Sequence, residues 1–420
     1  MPRRKRVLSG MRPTGRLHIG HYFGALDNWI KLQEQYDCFY FVADWHALTS
    51  DYADTSHIAQ NTIEIGIDWL AAGLDPAKCT LFVQSQVPEH AELHLLLSMI
   101  TPLGWLERVP TYKEQLENVK DKDLHTYGFL GYPLLQTADI VMYGRPDAEL
   151  FVPVGEDQVP HVEMSREIVR RFNLAYGQLI LPNLKDDAAW AGLATSTGIF
   201  SQVGPRILLL APNSYQDKPG AIKEAFRRSP LELRGSYLSN GLGMLADVLR
   251  EPQVLLTETP RIPGTDGRKM SKSYDNYIML SEDDDSIRSK ARNMMTDPKR
   301  THRHIPGNPD VCPVFAWHKL FSTPETIAWS DHGCRTAGIG CIECKSAMAD
   351  NLVRWIEPVR ARRQEYEAHP GRVTEILDAG SKMARSVAGE TMARVREAVF
   401  GWKEKREELA QGAKPATRRD

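Results

Sequence analysis

The pattern of apolar and polar positions divides the chain into two parts of different character. In the first part, short apolar runs alternate with stretches of helical spacing. Val7-Leu8-Ser9 predicts a short buried strand, and Tyr22–Glu34, with Tyr22, Leu26, Trp29 and Leu32 at helical spacing, predicts a helix after it. Phe39–Ala43 predicts a second strand, ending in the polar run Asp44-Trp45-His46-Ala47-Leu48-Thr49. Thr62–Ala72 reads as a helix, Thr80–Val83 as a strand and Glu89–Ile100 as a helix. Gly131–Tyr143, Leu150–Val154 and Glu156–Phe172 repeat helix, strand and helix. Such alternation predicts βαβ units and a parallel sheet.

The rhythm breaks over residues 178–253, which are rich in Gly, Pro, Asn and Ser. An apolar strand at Ile207–Ala211 and two short helical patterns, Ala221–Arg228 and Met244–Arg250, predict an insertion with its own small fold. The Pro and Gly density from Pro260 to Gly267 then marks a loop. After Asp283 helical patterns run to the end, punctuated by Pro370, Gly380, Gly389 and Gly401. The expected architecture is α/β: a Rossmann-like parallel-sheet domain from residues 1–177 and 254–283, an insertion at 178–253, an all-helical domain at 284–410 and a polar tail at 411–420.

Composition adds limits. The chain has 420 residues, enough for two or three cores, and 42% of them are hydrophobic and 25% charged, as in ordinary globular proteins. No apolar run approaches the roughly 18 residues a membrane span needs. The start, MPRRKR, is basic without an apolar segment behind it, so a cytoplasmic location is expected. The net charge of −2 does not decide for or against a nucleic-acid partner. From Asn351 onward 15 Lys and Arg stand against 11 Asp and Glu, which suits a phosphate-bearing partner and a solvated helical surface alike.

Three features bear candidate chemistry. His18-Ile19-Gly20-His21 falls where the first strand turns into a helix, the place where anionic ligands collect in a parallel sheet. Alone, the pair would be capping histidines. Lys269-Met270-Ser271-Lys272-Ser273, beside glycines, suits a mobile clamp for a phosphate chain, with lysines as point charges and serines as further donors. Alone, it would be a surface basic patch. Of six cysteines, Cys38 and Cys79 sit in apolar runs and read as core, whereas Cys312, Cys334, Cys341 and Cys344 form C-x21-C-x6-C-x2-C, a set suited to a metal or cluster. Spacing leaves a [4Fe–4S] cluster and Zn²⁺ both open. Gly241-Leu242-Gly243-Met244-Leu245-Ala246 matches a dinucleotide fingerprint only superficially, because no buried strand leads into it.

HIGH and KMSKS together form the signature pair of the class I aminoacyl-tRNA synthetases. The segments GMRPTGRLHIGHYFGAL, VADWHALT, YPLLQTADIVMY, FVPVGEDQVPHVEMSREIVRRFN and ETPRIPGTDGRKMSKS resemble the bacterial tryptophanyl members, as does the C-terminal VTEILDAGSKMARSVAGETMARVREAVFG. The resemblance covers most of the chain except the insertion and parts of 283–349. It implies ATP-dependent activation of L-tryptophan, transfer to tRNA(Trp), a homodimer, a Mg²⁺ brought by ATP and no membrane partner. It implies catalytic roles for His18, His21, Lys269 and Lys272. Arg12, Pro13, Thr14, Gly20, Gly155, Glu156, Asp157, Ile262, Met270, Ser271 and Ser273 would complete the ATP site, with Gly20 letting adenine approach the backbone. Asp139, sharing a helix face with Tyr132 and Gln136, would accept the indole N–H, with His46 and Gln158 nearby. A Tyr-Gln-Asp face also resembles the tyrosyl members, so tyrosine is the rival substrate. A non-catalytic iron–sulfur RNA-binding paralogue and a nucleotidylyltransferase are the rival functions. Within the family resemblance the four cysteines favour the [4Fe–4S] cluster over zinc.

Overall fold

The computed structural model describes residues 5–118, 123–199, 201, 218–257 and 262–412. Five parallel strands form the central sheet in the order β3-β2-β1-β4-β7. They are β1 (Arg6–Met11), β2 (Asp37–Val42), β3 (Cys79–Val83), β4 (Leu150–Val154) and, after the small strands β5 (Leu179–Ile180) and β6 (Met244–Leu245), β7 (Gln253–Leu256). The run DCFYFV of β2 is almost wholly buried, as expected where both sheet faces are covered. Alternate side chains feed two cores. Val7, Tyr40 and Leu81 face one, and Leu8, Phe39, Phe41 and Phe82 face the other. The chain moves outward from β1 to β3 and then returns to place β4 on the other side of β1. The crevice between the carboxyl ends of β1 and β4 is therefore the switch point where ligands bind in open parallel sheets.

Several expectations need correction. The polar run after β2 is not a strand end but the helix Asp44–Asp51. The helix after β1 begins earlier than expected, with the turn Ile19–His21, and passes through a π-turn at Tyr22–Leu26 before Asp27–Leu32. β7, with the short apolar run Val254-Leu255-Leu256, was not expected, and it begins one residue inside the boundary set for the insertion. Met244–Arg250 is not helical: Met244–Leu245 pairs antiparallel with Leu179–Ile180. The strand expected at Ile207–Ala211 lies outside the described residues.

The C-terminal helices are not a separate body laid beside the sheet. Met348, Leu352, Ile356, Val373 and Leu377 belong to the core on one sheet face, and Ala384, Ala388 and Met392 to the core on the other. The 31-residue helix Pro370–Phe400, wrapping the β3 edge, carries Val373 and Leu377 of the first set and all of the second; Met348, Leu352 and Ile356 come from the helix Cys341–Ala368. Gly380 and Gly389 do not end helices; both lie inside this one. At Gly380 the reason is close approach, since a Cβ there would stand 1.8 Å from the Leu81 carbonyl oxygen. Next to it, Ser381 Oγ accepts the Val83 N–H at 3.2 Å, satisfying an edge donor. Gly401, at φ 61°, does end the helix. Over 178–253 a third core gathers Leu179, Trp190, Ala194, Ile199, Ile222, Phe226, Tyr237 and Leu242.

Candidate functional site

A cavity of about 490 Å³ opens at the switch point. Ser9, Gly10 and Arg12 from the end of β1 meet Gly155, Asp157 and Gln158 from the turn after β4. The helix Tyr132–Met142 closes its inner end with Tyr132, Gln136 and Asp139, so the helical spacing read from sequence does place all three on one wall.

Asp139 is 1% exposed and carries the most elaborate hydrogen bonding of the site. His46 Nε2 lies 2.8 Å from Oδ2, and His90 Nδ1 lies 2.5 Å from Oδ1. Gln84 Nε2 donates to both oxygens, at 2.8 and 2.9 Å. Burial opposes the Asp139 charge, but the bonds from His46 and His90 outweigh it and hold the carboxyl below its ordinary range. An ionised carboxylate only accepts, so His90 donates through Nδ1. Its Nε2 lies 2.7 Å from the Tyr143 hydroxyl. Gln84 and His90 are fully buried and were not singled out from sequence. His90 stands 49 residues before Asp139, and only the packing of the β3 exit against the Asp139 helix brings them together.

The two-histidine turn lies outside the cavity lining. Imidazoles of His18 and His21 stack with centroids 3.7 Å apart. The His18 backbone N–H donates to His21 Nδ1 at 3.2 Å, which leaves the His21 proton on Nε2. Burial, reinforced by Lys272, brings His18 down to about 4. Burial, His18 and Lys272 bring His21 down to about 3. Both rings are therefore neutral near pH 7. Gly20 has a different reason from the expected one, because a Cβ would meet the His18 ring at 2.9 Å and the Met270 sulfur at 3.3 Å.

The 269–273 loop reaches this turn rather than the cavity. Lys272 Nζ donates to the Thr14 carbonyl at 2.6 Å, and burial lowers its pKa. Asn276, absent from the sequence reading, knits the loop. Its Oδ1 accepts the Ser271 N–H at 2.7 Å, and its Nδ2 donates to Asp266 at 2.7 Å and to the Lys269 carbonyl at 3.1 Å. Ser271 Oγ caps the next turn by accepting the Ser273 N–H at 3.3 Å. Met270 and Ile262 are buried in the core beside Ile19. Pro13 is buried, while Glu156 is exposed beside the cavity without lining it. Arg12 lines the cavity and donates to Ser50 Oγ at 2.5 Å.

The four C-terminal cysteines are free thiols. Burial, and then the fields of Cys312, Cys334 and Cys341, push the Cys344 thiol up to about 11, against a hydrogen bond from Ser330. Arg300 Nη1 lies 3.8 Å from Cys334 Sγ, and His318 Nε2 lies 3.4 Å from Cys344 Sγ. Among the described residues no group of three or more His, Cys, Asp or Glu side chains is gathered as a metal site. Among them, too, no helix is long and apolar enough to cross a membrane.

A family model described as tRNA synthetases class I (W and Y) matches residues 2–187 and 232–356, leaving out part of the insertion. The tryptophan–tRNA ligase of Ralstonia nicotianae is 51% identical over 405 residues, covering 94% of this chain and 98% of that protein. The tryptophan–tRNA ligase of Thermotoga maritima is 42% identical over 396 residues, with 94% and 98% covered. The crystal structure of a tryptophanyl-tRNA synthetase from Campylobacter jejuni, complexed with ADP and tryptophan, matches with a TM-score of 0.70 at 27% identity, covering 94% of this chain and 99% of that one.

Proposed function

Because the chain belongs to the class I tRNA synthetases, and within them to the tryptophan–tRNA ligases, we infer that its cavity and its two-histidine turn are two parts of one active site. The reaction is ATP-dependent charging of tRNA(Trp) with L-tryptophan. A carboxylate oxygen of tryptophan attacks the α-phosphorus of ATP, the bond to the β-phosphate oxygen breaks, and pyrophosphate leaves. A ribose hydroxyl at the tRNA 3′ end then attacks the activated carbonyl and AMP leaves.

Tryptophan occupies the inner cavity, and Asp139 is the observation that carries this reading. Indole is donor-only and needs an acceptor. The roughly four acceptor positions of a carboxylate are already engaged by His46, His90 and Gln84. Of these, His46 has the only side chain that is not fully buried, at 13% exposure. His46 is thus the group that yields its place to the indole N–H, while His90 and Gln84 keep the carboxylate aimed. Tyr132 and Gln136 flank the ring, and Gln158 faces the amino-acid backbone. Tyrosine would present a hydroxyl that both donates and accepts to a carboxylate that only accepts.

ATP lies across the outer cavity toward the turn, its ribose near Asp157 and Glu156 and its base between Gly155 and the chain at Ile262. Arg12, Pro13, Thr14 and Gly20 shape the intervening wall. His21 and His18, neutral, donate N–H groups to the α-phosphate as charge builds. Lys269 and Lys272, with Ser271, Ser273 and the Met270 backbone, hold the departing pyrophosphate. A preorganised donor of this kind contributes about 10²–10³ in rate. Mg²⁺ would arrive on the ATP phosphates, where it would neutralise their charge; the described residues gather no ligand set of their own for it.

We assign catalysis to 1–177 and 254–283 and tRNA anticodon recognition to the surface of 284–410, whose helices also complete the cores of the sheet, with 178–253 as an insertion and 411–420 as a tail. Exposed Leu95, Met99, Leu103 and Tyr127, flanking the amino-acid end, support a homodimer face. A cytoplasmic location goes with tRNA charging. For the cysteine set we propose a [4Fe–4S] cluster held by Cys312, Cys334, Cys341 and Cys344. Its support is the C-x21-C-x6-C-x2-C spacing of four free thiols, with Arg300 Nη1 placed 3.8 Å from Cys334 Sγ as a cationic partner for a ligating thiolate. Such a cluster would brace the helices that carry its ligands. Broad visible absorption with iron after anaerobic purification supports it, and zinc alone refutes it.

Amino-acid-dependent ATP–pyrophosphate exchange tests the main reading. Exchange should be specific for tryptophan, and Asp139→Asn should weaken tryptophan selection by about 10–100-fold, the worth of a buried charged hydrogen bond. Unchanged discrimination against phenylalanine and tyrosine in that variant would overturn the pocket assignment.

A further inference from the structure

We propose that Arg363, on the helix Cys341–Ala368, is a positioning residue that sets the His18–His21 turn for ATP by holding the Asp68 carboxylate against the Leu17 N–H. Arg363 is 1% exposed, although it is a full charge 342 residues beyond His21. Its guanidinium is ion-paired with Asp68 and Glu64 of the helix Ile58–Ala72, and with Glu367 at 3.1 Å. Asp68 Oδ2 accepts the Leu17 N–H at 2.6 Å. Glu64 and Glu367 pair with Arg16, each at 3.1 Å. The two residues before His18 are thus gripped by carboxylates that Arg363 neutralises.

The grip continues on the other face. The Leu17 carbonyl accepts the Leu280 N–H at 2.9 Å, and the Ile19 N–H donates to the Ile278 carbonyl at 3.0 Å. That segment follows Asn276 and the 269–273 loop directly. The turn therefore lies between the loop that brings Lys272 and the carboxylates that Arg363 holds. Asp68 also acts on Lys272 through its field, raising it against the burial that lowers it. Removing one partner of a buried pair leaves the other charge uncompensated. An Asp68 without Arg363 would take up a proton or draw in water, and either response moves Leu17 and with it the turn.

The inference rests on the ATP role proposed for the turn, and the test separates the two. Tryptophan-dependent exchange is measured for Arg363→Gln, for Arg363→Gln with Asp68→Asn, and for Arg363→Met with Asp68→Leu, alongside thermal melting. Arg363→Gln should lower kcat/KM for ATP about tenfold or more with the KM for tryptophan little changed. Adding Asp68→Asn, which keeps a carbonyl acceptor for Leu17 and removes the stranded charge, should restore ATP kinetics. The apolar pair should recover melting temperature without recovering ATP kinetics, because Leu17 then has no acceptor. Wild-type ATP kinetics in the apolar pair overturn the proposal. So does a loss that Asp68→Asn fails to restore, or one that strikes ATP and tryptophan equally; if the apolar pair does not fold, those two outcomes decide. His21→Asn is run in the same assay: if it leaves exchange unchanged, the ATP role of the turn fails rather than the Arg363 link.

Discussion

His90 illustrates how a residue that touches no substrate can govern which substrate is taken. Its ring joins Tyr143 to Asp139, and with Gln84 and His46 on the remaining positions the carboxylate cannot turn without breaking buried hydrogen bonds. His90→Phe keeps a ring of similar shape but strands the Tyr143 hydroxyl and one Asp139 position. The KM for tryptophan should rise roughly tenfold, about 1.4 kcal/mol, while the KM for ATP stays put. Steady-state exchange with each substrate varied in turn reads this, and equal changes in both would point to general damage instead. Asp139 was legible because helical spacing aligned it with Tyr132 and Gln136. Gln84 and His90 were not, since their partner is distant in sequence and each residue alone reads as an ordinary polar position. The two histidines of the turn carry a second consequence. Unfolded histidine titrates near 6.5, whereas burial and Lys272 bring His18 down to about 4, and burial with His18 and Lys272 brings His21 down to about 3. Between these values the unfolded chain binds more protons than the folded one. Their contribution to stability is therefore full above about pH 6.5 and is lost as the pH falls toward 4, at up to about 1.4 kcal/mol per pH unit for each ring. Melting temperature followed from pH 7 to pH 4 should drop less steeply in His21→Asn than in the parent; parallel curves would show that His21 takes no part.

At the scale of elements, the turn and the 269–273 loop form one unit through Gly20. The missing side chain there makes room for the His18 ring on one side and Met270 on the other. Gly20→Ala puts a methyl 2.9 Å from that ring, so His18 must swing or the loop must lift. Exchange should fall at least about tenfold, while the melting temperature changes little, because alanine favours the short helical turn by roughly 1 kcal/mol. A rate within twofold of the parent would mean that the stack of His18 on His21 is dispensable. Strands and helices with a strong apolar period were readable from the chain itself, as β1 to β4 attest. The helix Asp44–Asp51 was not, because its polar positions obscure the period and its only fully buried residue is Ala47. Gly380 misled for the opposite reason. A glycine that usually ends helices sits inside one, since the neighbouring strand leaves no room for a Cβ. β7 escaped notice because only three apolar residues separate the insertion from the loop.

For the molecule as a whole, the question is which parts must fold together. The C-terminal helices supply both cores of the sheet and, through Arg363, an internal charge partner, so the catalytic part has no complete core without them. Sequence pattern marked a change of character after Asp283 but could not reveal that the later helices close back over β3, because that packing lies between elements far apart in the chain. The insertion is built differently. Among the described residues, those from Leu179 to Leu242 form a core of their own, and antiparallel pairing joins Leu179 to Leu245 and Ile180 to Met244. Arg234 ties the insertion to the body by donating to the Leu174 and Ala175 carbonyls at the end of the helix Val159–Tyr176, and beyond the paired strands Asn173 holds Val248 and Leu249 while Arg166 and Arg170 pair with Glu251. The family model also passes over residues 188–231. Two paired strands ending side by side can be joined by a two-residue Asn-Gly turn, whose backbone twist suits such a hairpin. Replacing residues 181–243 by Asn-Gly should therefore give a protein that still folds cooperatively and still exchanges pyrophosphate with tryptophan, with kcat within about threefold of the parent, since no residue named in the site is removed. Circular dichroism on heating and the exchange assay read the two halves of this expectation. A shortened chain that folds but has lost exchange would assign the insertion a part in catalysis; one that does not fold would show that its core braces the β7 edge, to which the chain returns immediately after it.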